Sequence, residues 1–172
     1  MSCSIVSTAW GYQPKGYGFI CGIKGGRFSP HAIDTHGSGL STAVRLAVKE
    51  LFDGGQDVYW TPQTFSVPRR LKEHALQGRL LYADLDAAPL DKLPIEPSVL
   101  WQSSKGRHQA LWLLTKQLEP HDLELMNRRM TYSAGADRHC WDLAHLMRVP
   151  GTLNYKRETP EEVRLLWERW EI

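Results

Sequence analysis

Residues 80–86 have the sequence LLYADLD, in which a short apolar run ends in two aspartates separated by one leucine. The run is short and apolar, and this pattern predicts a buried β-strand. Side chains at positions i and i+2 of a strand point to the same face, so Asp84 and Asp86 are expected to project together. Two like charges placed in this way are costly to bury unless a cation neutralises them.

The paired aspartates predict a site for Mg²⁺ or Mn²⁺, because these ions prefer carboxylate oxygens. Two such ions, roughly 3.5 to 4 Å apart, can activate an attacking hydroxyl group and stabilise a leaving pyrophosphate. The Asp-x-Asp pattern alone is moderately specific, since it also occurs in metal-dependent glycosyltransferases and at ordinary strand ends. The rest of the chain therefore has to decide between these possibilities.

A second polar stretch, residues 103–108, leads directly into an apolar strand predicted over residues 109–114. Its small residues leave backbone amides accessible to a phosphate, and its basic side chains add charged hydrogen-bond donors. The stretch predicts a triphosphate-binding turn that contains Ser103, Ser104, Lys105, Arg107 and His108.

A third stretch, residues 135–156, supplies acidic and then basic side chains around a Pro-Gly turn. Asp137 or Asp142 could complete the metal site. Arg148 and Lys156 flank the turn and could hold phosphates from the side opposite the metals. Asp142 could instead cap a short helix that begins there.

The remaining pattern predicts a mixed α+β chain. Helices are predicted over residues 40–51, with Ser41 or Thr42 as the cap, and over residues 120–130. Residues 22–39 are expected to form a surface loop or a hairpin, and residues 163–167 a strand or a helix. A further strand is predicted at residues 57–60, and a proline-rich connection followed by residues 99–101 separates the strands predicted at 80–86 and 109–114.

Composition restricts the class of protein. The chain has 172 residues, 42% hydrophobic and 23% charged, which is ordinary for one globular domain. A net charge of +2 means that nucleic-acid binding must rest on local basic clusters, one of which contains Arg148, Lys156 and Arg157. The sequence has no secretion signal and no apolar run of membrane-spanning length, so we expect a cytoplasmic protein.

The cysteines predict neither disulfides nor a structural zinc ion. Cys3, Cys21 and Cys140 lie far apart and leave one thiol unpaired in any scheme. A zinc site made of His139, Cys140 and His145 is conceivable, but its spacing matches no standard pattern.

The three stretches, in this order, resemble the archaeo-eukaryotic primase superfamily, and most closely the primase-polymerase domains of phage and plasmid replication proteins. The similarity covers roughly residues 79–156. In that superfamily a pair of acids, a histidine-bearing turn and a third acid form the site. The segment LMRVPGTLNYK at residues 146–156 is also similar to a basic segment of archaeal primases.

The resemblance implies a primase-polymerase fold, with an antiparallel sheet similar to an RNA-recognition motif and flanked by helices. It implies one catalytic domain over residues 1–172, with an N-terminal α/β part at residues 1–78 and a catalytic part at residues 79–172. The implied activity is metal-dependent nucleotidyl transfer from NTPs or dNTPs on a single-stranded DNA template. A helicase, as a domain or a separate protein, is an optional further partner.

The resemblance also implies a role for each site residue. In archaeal primases the third metal ligand stands about eleven or twelve residues before the basic residue of this segment, and a second acid about six before it. Asp137 stands eleven residues before Arg148 and is the implied ligand, whereas Asp142 stands six before it and is the alternative. The second stretch departs from some relatives, since Gly-Arg-His replaces a Ser-x-His triplet. The implied metal ligands are Asp84, Asp86 and Asp137. These three aspartates and His108 are the implied catalytic residues. The implied triphosphate contacts are Ser103, Ser104, Lys105, Arg107, His108, Arg148 and Lys156.

Other functions fit parts of the pattern. A primase that starts chains but barely extends them would share every residue above. A non-catalytic nucleic-acid-binding module could stack bases on Tyr82, Trp101 and Trp112, although its carboxylates would oppose DNA phosphates. A glycosyltransferase could use the paired aspartates to hold a nucleotide-sugar diphosphate, but that function leaves residues 148–156 unexplained.

Overall fold

Two four-stranded antiparallel sheets frame the protein, which the computed structural model describes over residues 4–156 and 158–171. The predictions that involve Cys3 and Arg157 lie outside the described residues. The elements follow in the order α1 (Ser4–Gly11), β1 (Tyr17–Lys24), β2 (Arg27–Asp34), α2 (Leu40–Asp53), β3 (Asp57–Trp60), β4 (Gly78–Asp86), β5 (Val99–Ser104), β6 (Arg107–Leu118), α3 (Pro120–Ser133), β7 (Met147–Arg148), β8 (Leu153–Asn154), β9 (Glu161–Glu162) and β10 (Arg164–Glu168).

The first sheet has the strand order β2-β1-β3-β7. Strands β1 and β2 form a hairpin, paired along their whole length. Gly25 and Gly26 make its turn with φ values of 55° and 78°, which glycine adopts at little cost. The turn-rich stretch at residues 22–39 was predicted as a loop or a hairpin, and it belongs to a hairpin whose first strand begins earlier, at Tyr17. The last strand of the sheet, β7, comes from the third polar stretch.

The second sheet has the order β10-β5-β6-β4, and β4 therefore lies at its edge beside β6. Alternate residues of β4 face two different hydrophobic clusters. Leu81, Ala83 and Leu85 pack with residues of α3, whereas Leu80 and Tyr82 pack with the apolar residues of α1, α2 and the first sheet. Because strand side chains alternate, Asp84 shares the face of Leu80 and Tyr82, which is the face turned towards the first sheet.

The mixed α+β class predicted from the sequence is confirmed, and so are most of the individual elements. Helix α2 ends at Asp53 and Gly54 is its C-cap, so the predicted glycine stop is confirmed. Its N-cap is Gly39 and no side chain caps it, so the predicted Ser41 or Thr42 cap is wrong. The segment after Asp142 is a turn rather than a helix. The segment at residues 163–167, left open between strand and helix, contributes to β10. The division of the domain at residue 78 stays a prediction.

Some features of the described residues were not anticipated. Helix α1 buries Ile5, Val6, Ala9 and Trp10 in the main hydrophobic cluster. The indole of Trp10 lies so close to β1 that a Cβ at Gly18 would come within 2.3 Å of it. No helix in the described part of the chain has the length and apolar character needed to cross a membrane.

Candidate active site

A cavity of about 540 Å³ opens where β4, β5 and β6 meet the third polar stretch. All three polar stretches contribute to its walls, together with a residue from β3. The lining residues are Tyr59, Asp84, Asp86, Ser103, Ser104, Arg107, Gln109, Asp137, Cys140, His145, Leu146, Arg148, Asn154 and Lys156.

Asp84 lies near the end of β4, opposite Gln109 of β6 in the antiparallel ladder. The Gln109 amide Nε2 donates a hydrogen bond of 3.0 Å to Asp84 Oδ2. Burial raises the pKa of the Asp84 carboxyl group, and the Gln109 hydrogen bond opposes that rise. Asp84 is therefore a largely desolvated carboxylate whose ionised form would gain from a nearby cation.

Asp86 reaches the same cavity through an irregular piece of strand. The pairing of β4 with β6 shifts register between Asp84 and Asp86, and Asp86 has a φ of 50°. Bulges of this kind often occur next to active sites because they redirect a side chain, and aspartate tolerates the left-handed region better than most residues. The Asp86 carboxylate forms an ion pair with the Arg107 guanidinium, so its charge is partly neutralised within the chain.

Asp137 is tied to Asp84 by the main chain, since the Asp137 amide donates to the Asp84 carbonyl oxygen at 2.9 Å. Its carboxylate accepts a hydrogen bond of 3.0 Å from the His139 amide. That bond, more than any other interaction, holds the pKa of Asp137 below its usual value. Asp142 does not line the cavity. Its Oδ1 instead accepts a hydrogen bond of 2.9 Å from the Ala144 amide and closes the turn.

The Arg148 side chain is almost completely buried, and it forms an ion pair that the sequence analysis did not identify. Its Nη1 donates to Asp57 Oδ1 at 2.6 Å, and the two side chains are only 5% and 11% exposed. The guanidinium carbon lies 4.7 Å from the centroid of the Tyr59 ring. Arg148 Nη2 is buried and has no hydrogen-bond partner among the described residues. A buried donor of this kind is costly unless an acceptor, such as a ligand oxygen, satisfies it.

Gln109 is the second residue that the sequence analysis missed. Its Oε1 accepts hydrogen bonds from Trp101 Nε1 and from the Arg148 amide, each at 3.0 Å. Its Nε2 donates to Asp84, so one buried amide connects the Asp84 carboxylate with the main chain of Arg148. The only signal in the sequence was a glutamine at the start of an apolar strand.

The turn at residues 103–108 is a tight hairpin between β5 and β6. Ser103 and Ser104 are buried and line the cavity. Lys105 lines a neighbouring depression, where its amide donates to Glu161 at 2.5 Å. His108 precedes Gln109 on β6 and so points to the opposite face, outside the cavity lining. Burial lowers the pKa of the His108 imidazole.

The aromatic residues proposed for base stacking are in the core. Tyr82 and Trp101 are fully buried and Trp112 is 4% exposed. Their rings are therefore not available to nucleobases. The hypothesis of a binding module that stacks bases on these three residues is wrong.

A mixed cluster of donor atoms lies at one end of the cavity. A carboxylate oxygen of Asp84, the sulfur of Cys140 and a ring nitrogen of His145 all lie within 4.8 Å of one another. Burial and the surrounding carboxylates raise the pKa of the Cys140 thiol to about 12, and burial lowers the pKa of the His145 imidazole. His139, which the zinc hypothesis had placed with Cys140 and His145, is exposed.

A family model described as the RepB DNA-primase N-terminal domain matches residues 62–171, which contain all three polar stretches. The chain belongs to this family. The resemblance to plasmid- and phage-type primases is thereby confirmed. The fold similarity to a solved RepB′ primase structure covers 99% of the chain, so it also includes the residues before 62.

Three solved structures share the fold. A crystal structure of primase RepB′ has a TM-score of 0.71 at 17% identity and covers 99% of this chain, which spans only 58% of the RepB′ chain. The archaeo-eukaryotic primase domain of the cyanophage S-2L primase-polymerase has a TM-score of 0.71 at 11% identity, with 91% of this chain and 84% of that chain covered. The catalytic domain of primase RepB′ with initiator DNA has a TM-score of 0.66 at 17% identity, covering 98% and 86%.

No curated protein sequence matches the chain. The structural matches, at identities of 11% to 17%, show a common fold, and the family model shows a primase type of domain. They leave the metal ligands, the nucleotide contacts and the reaction of this RepB-family domain as proposals.

Proposed function

We propose that this RepB-family domain joins nucleotides on a single-stranded DNA template in a reaction that requires Mg²⁺ or Mn²⁺. One observation carries the proposal: carboxylates and basic side chains line a single cavity of about 540 Å³. A metal-bound triphosphate needs both kinds of side chain, and the volume is in the usual range for small-molecule sites. The carboxylates are Asp84, Asp86 and Asp137, and the basic side chains are Arg107, Arg148 and Lys156.

The donor set fits a hard divalent cation. Three carboxylates supply the oxygen ligands that Mg²⁺ and Mn²⁺ prefer, and the buried Asp84 lacks a cationic partner among the described side chains. When bound, the ions would activate the attacking 3′-hydroxyl group and neutralise charge on the triphosphate. Asp84, Asp86 and Asp137 would hold them, with Asp142 as the alternative to Asp137.

The basic side chains act on the phosphates. Asp57 and Tyr59 hold Arg148 in place, and its unpartnered Nη2 would donate to a phosphate oxygen. Lys156 adds a second positive charge to the lining of the same cavity. Fixed donors of this kind stabilise charge that develops in the transition state, and the loss of one typically costs about 3 to 4 kcal/mol in activation free energy.

Arg107 has a conditional role. Its guanidinium is paired with Asp86, and a cation bound by Asp86 would compete for that carboxylate. Arg107 would then be able to donate to the triphosphate, together with Ser103 and Ser104. Lys105 and His108 lie outside the cavity lining, and we propose that they approach the nucleotide only if the turn at residues 103–108 moves.

The test is synthesis by the purified chain on single-stranded DNA with labelled NTPs or dNTPs, with and without a primer. We expect products that need Mg²⁺ or Mn²⁺ and that disappear in Asp84→Ala and Asp86→Ala. The exposed Asp91, which lies outside the cavity, provides a matched control, and Asp91→Ala should be fully active. Product length and primer dependence then separate a primase from a polymerase.

Two results would contradict the proposal. Full activity of Asp84→Ala would show that the carboxylates are not metal ligands. No product under any condition, with DNA binding retained, would favour a non-catalytic module on the same fold.

A RepB-family primase that copies plasmid or phage DNA would work in the cytoplasm of its host, and a helicase remains an optional partner.

A further inference from the structure

Two side chains of the cavity are not explained by the proposed Mg²⁺ or Mn²⁺ site. Cys140 and His145 present a sulfur and an imidazole nitrogen within 4.8 Å of each other and of an Asp84 oxygen. Thiolate and imidazole ligands suit zinc and similar ions, whereas Mg²⁺ sites are built from oxygen ligands. The cluster therefore has a donor set of its own.

His145 provides an independent observation. Its ring stacks on Tyr82, with the ring centroids 6.2 Å apart and the planes 10° from parallel. Nε2 is out of contact with solvent and has no hydrogen-bond partner among the described residues. Buried polar atoms are rarely left unpaired, because the cost is about 1 to 3 kcal/mol. A metal ion is one partner that such a nitrogen accepts.

The main chain holds the cluster in place. The loop is attached to β4 by the hydrogen bond from the Asp137 amide to the Asp84 carbonyl, and the Cys140 amide donates to the Asp137 carbonyl at 3.2 Å. On the other side, the His145 amide donates to the Asp142 carbonyl at 3.1 Å. The hydroxyl of Tyr82, on which His145 stacks, donates to the same carbonyl at 2.8 Å. All three donor residues therefore belong to one hydrogen-bonded unit.

We propose that Asp84, Cys140 and His145 form a binding site for a divalent transition-metal ion of the Zn²⁺ and Co²⁺ class. Tetrahedral coordination at about 2.0 to 2.3 Å places ligand atoms about 3.3 to 3.8 Å apart, so separations of up to 4.8 Å close with shifts of at most about 1 to 1.5 Å. Three protein ligands leave a fourth position, which opens on the cavity. His139 takes no part, because it is exposed.

The site would compete with the proposed reaction, because Asp84 belongs to both. An ion held by Cys140 and His145 occupies the Asp84 carboxylate and would inhibit synthesis that depends on Mg²⁺. Only this consequence rests on the proposed function. The metal site itself can be tested without nucleotide or DNA.

The test is titration of the metal-free chain with Co²⁺, followed in the near ultraviolet, where thiolate ligation produces a charge-transfer band. We expect the band in the wild-type chain and its displacement by Zn²⁺ but not by Mg²⁺. Cys140→Ser should lose the band. His145→Ala should weaken Co²⁺ binding at least tenfold, since even outer-shell changes cost about 10- to 100-fold. His139→Ala is the matched control and should bind like the wild type.

A second measurement needs no variant. In the wild-type chain, saturating Zn²⁺ should slow alkylation of Cys140 at least tenfold, as followed by mass spectrometry, and Mg²⁺ should leave the rate unchanged. The site is overturned if the wild type shows no band, if Cys140→Ser keeps it, or if His139→Ala weakens binding as much as His145→Ala. The same holds if Zn²⁺ leaves Cys140 fully reactive.

An activity assay then distinguishes the two proposals. If the chain synthesises products, the Zn²⁺ concentration that halves synthesis should be at least tenfold higher for Cys140→Ser than for the wild type. Equal inhibition of the wild type and Cys140→Ser by Zn²⁺ would overturn the proposal that this metal site competes with Mg²⁺-dependent synthesis. A Co²⁺ band in a chain that makes no product would support the metal site and contradict the nucleotidyltransferase proposal.

Discussion

Replacement of Asp57 by alanine should destabilise the protein far more than loss of an ordinary surface ion pair. The substitution leaves the Arg148 guanidinium buried without its anion, and it also removes the acceptor of a 2.9 Å hydrogen bond from the Tyr155 amide. Breaking a buried pair by removing one partner costs about 3 to 5 kcal/mol. At about 2 to 4 °C per kcal/mol for a domain of this size, the melting temperature should fall by roughly 6 to 20 °C.

The chain contains a matched control in the Lys49–Asp53 pair on α2. That pair has a similar separation, 2.5 Å, but its side chains are 59% and 56% exposed. Exposed pairs at this spacing contribute about 0.3 to 0.5 kcal/mol, so Asp53→Ala should lower the free energy of unfolding by no more than about 0.5 kcal/mol. The contrast measures what burial and the Tyr155 hydrogen bond add to the contribution of an ion pair.

The assay is urea unfolding followed by tryptophan fluorescence, in a double-mutant cycle with Arg148→Met. Removing both charges replaces the pair with an apolar side chain, so the double variant should be less destabilised than the sum of the two single variants by at least about 1 kcal/mol. A loss below about 1 kcal/mol in Asp57→Ala, or additive effects of the two substitutions, would refute the reasoning.

Three further predictions follow from the contacts of the cavity. Burial raises the pKa of Asp84 in the folded chain, so the folded state binds the Asp84 proton more tightly than the unfolded state does and loses stability as the pH rises through that raised pKa. In metal-free buffer Asp84→Asn should therefore be more stable than the wild type at neutral pH. The difference in the free energy of unfolding, measured with urea, should vanish below about pH 3. Gln109→Leu leaves Trp101 Nε1 and the Arg148 amide unpaired and should lower the free energy of unfolding by about 1 to 3 kcal/mol for each of these two donors, with a loss of synthesis larger than that of a surface variant. Arg107→Ala removes the ion-pair partner of Asp86 and should tighten Mn²⁺ binding while weakening triphosphate binding, as measured by calorimetry. Unchanged affinities would contradict the proposal that Arg107 leaves Asp86 for the triphosphate when a cation binds.

Much of the fold could be predicted from local sequence patterns. Strand β3 was predicted with its observed bounds, β4 and α2 were predicted within two residues, and the hairpin was predicted as one of two possibilities. These elements follow from periodicity and from glycine turns, which depend on neighbouring residues alone. Helix α1 and strand β1 were missed, because α1 is short and β1 contains glycines that favour a loop prediction.

The sequence by itself determined the three polar stretches and their order, since residue types at short spacing are enough to specify paired carboxylates on a strand and a basic turn. Only the tertiary structure decided which residues share one cavity. Asp57 and Arg148 are 91 residues apart in the chain, and Gln109 forms hydrogen bonds with Asp84 and with Arg148, which belong to different stretches. The packing of the two sheets also selected Asp137 over Asp142 for the cavity wall and brought Cys140 and His145 to Asp84. Such pairings depend on how elements pack at long range, and no local propensity specifies that packing.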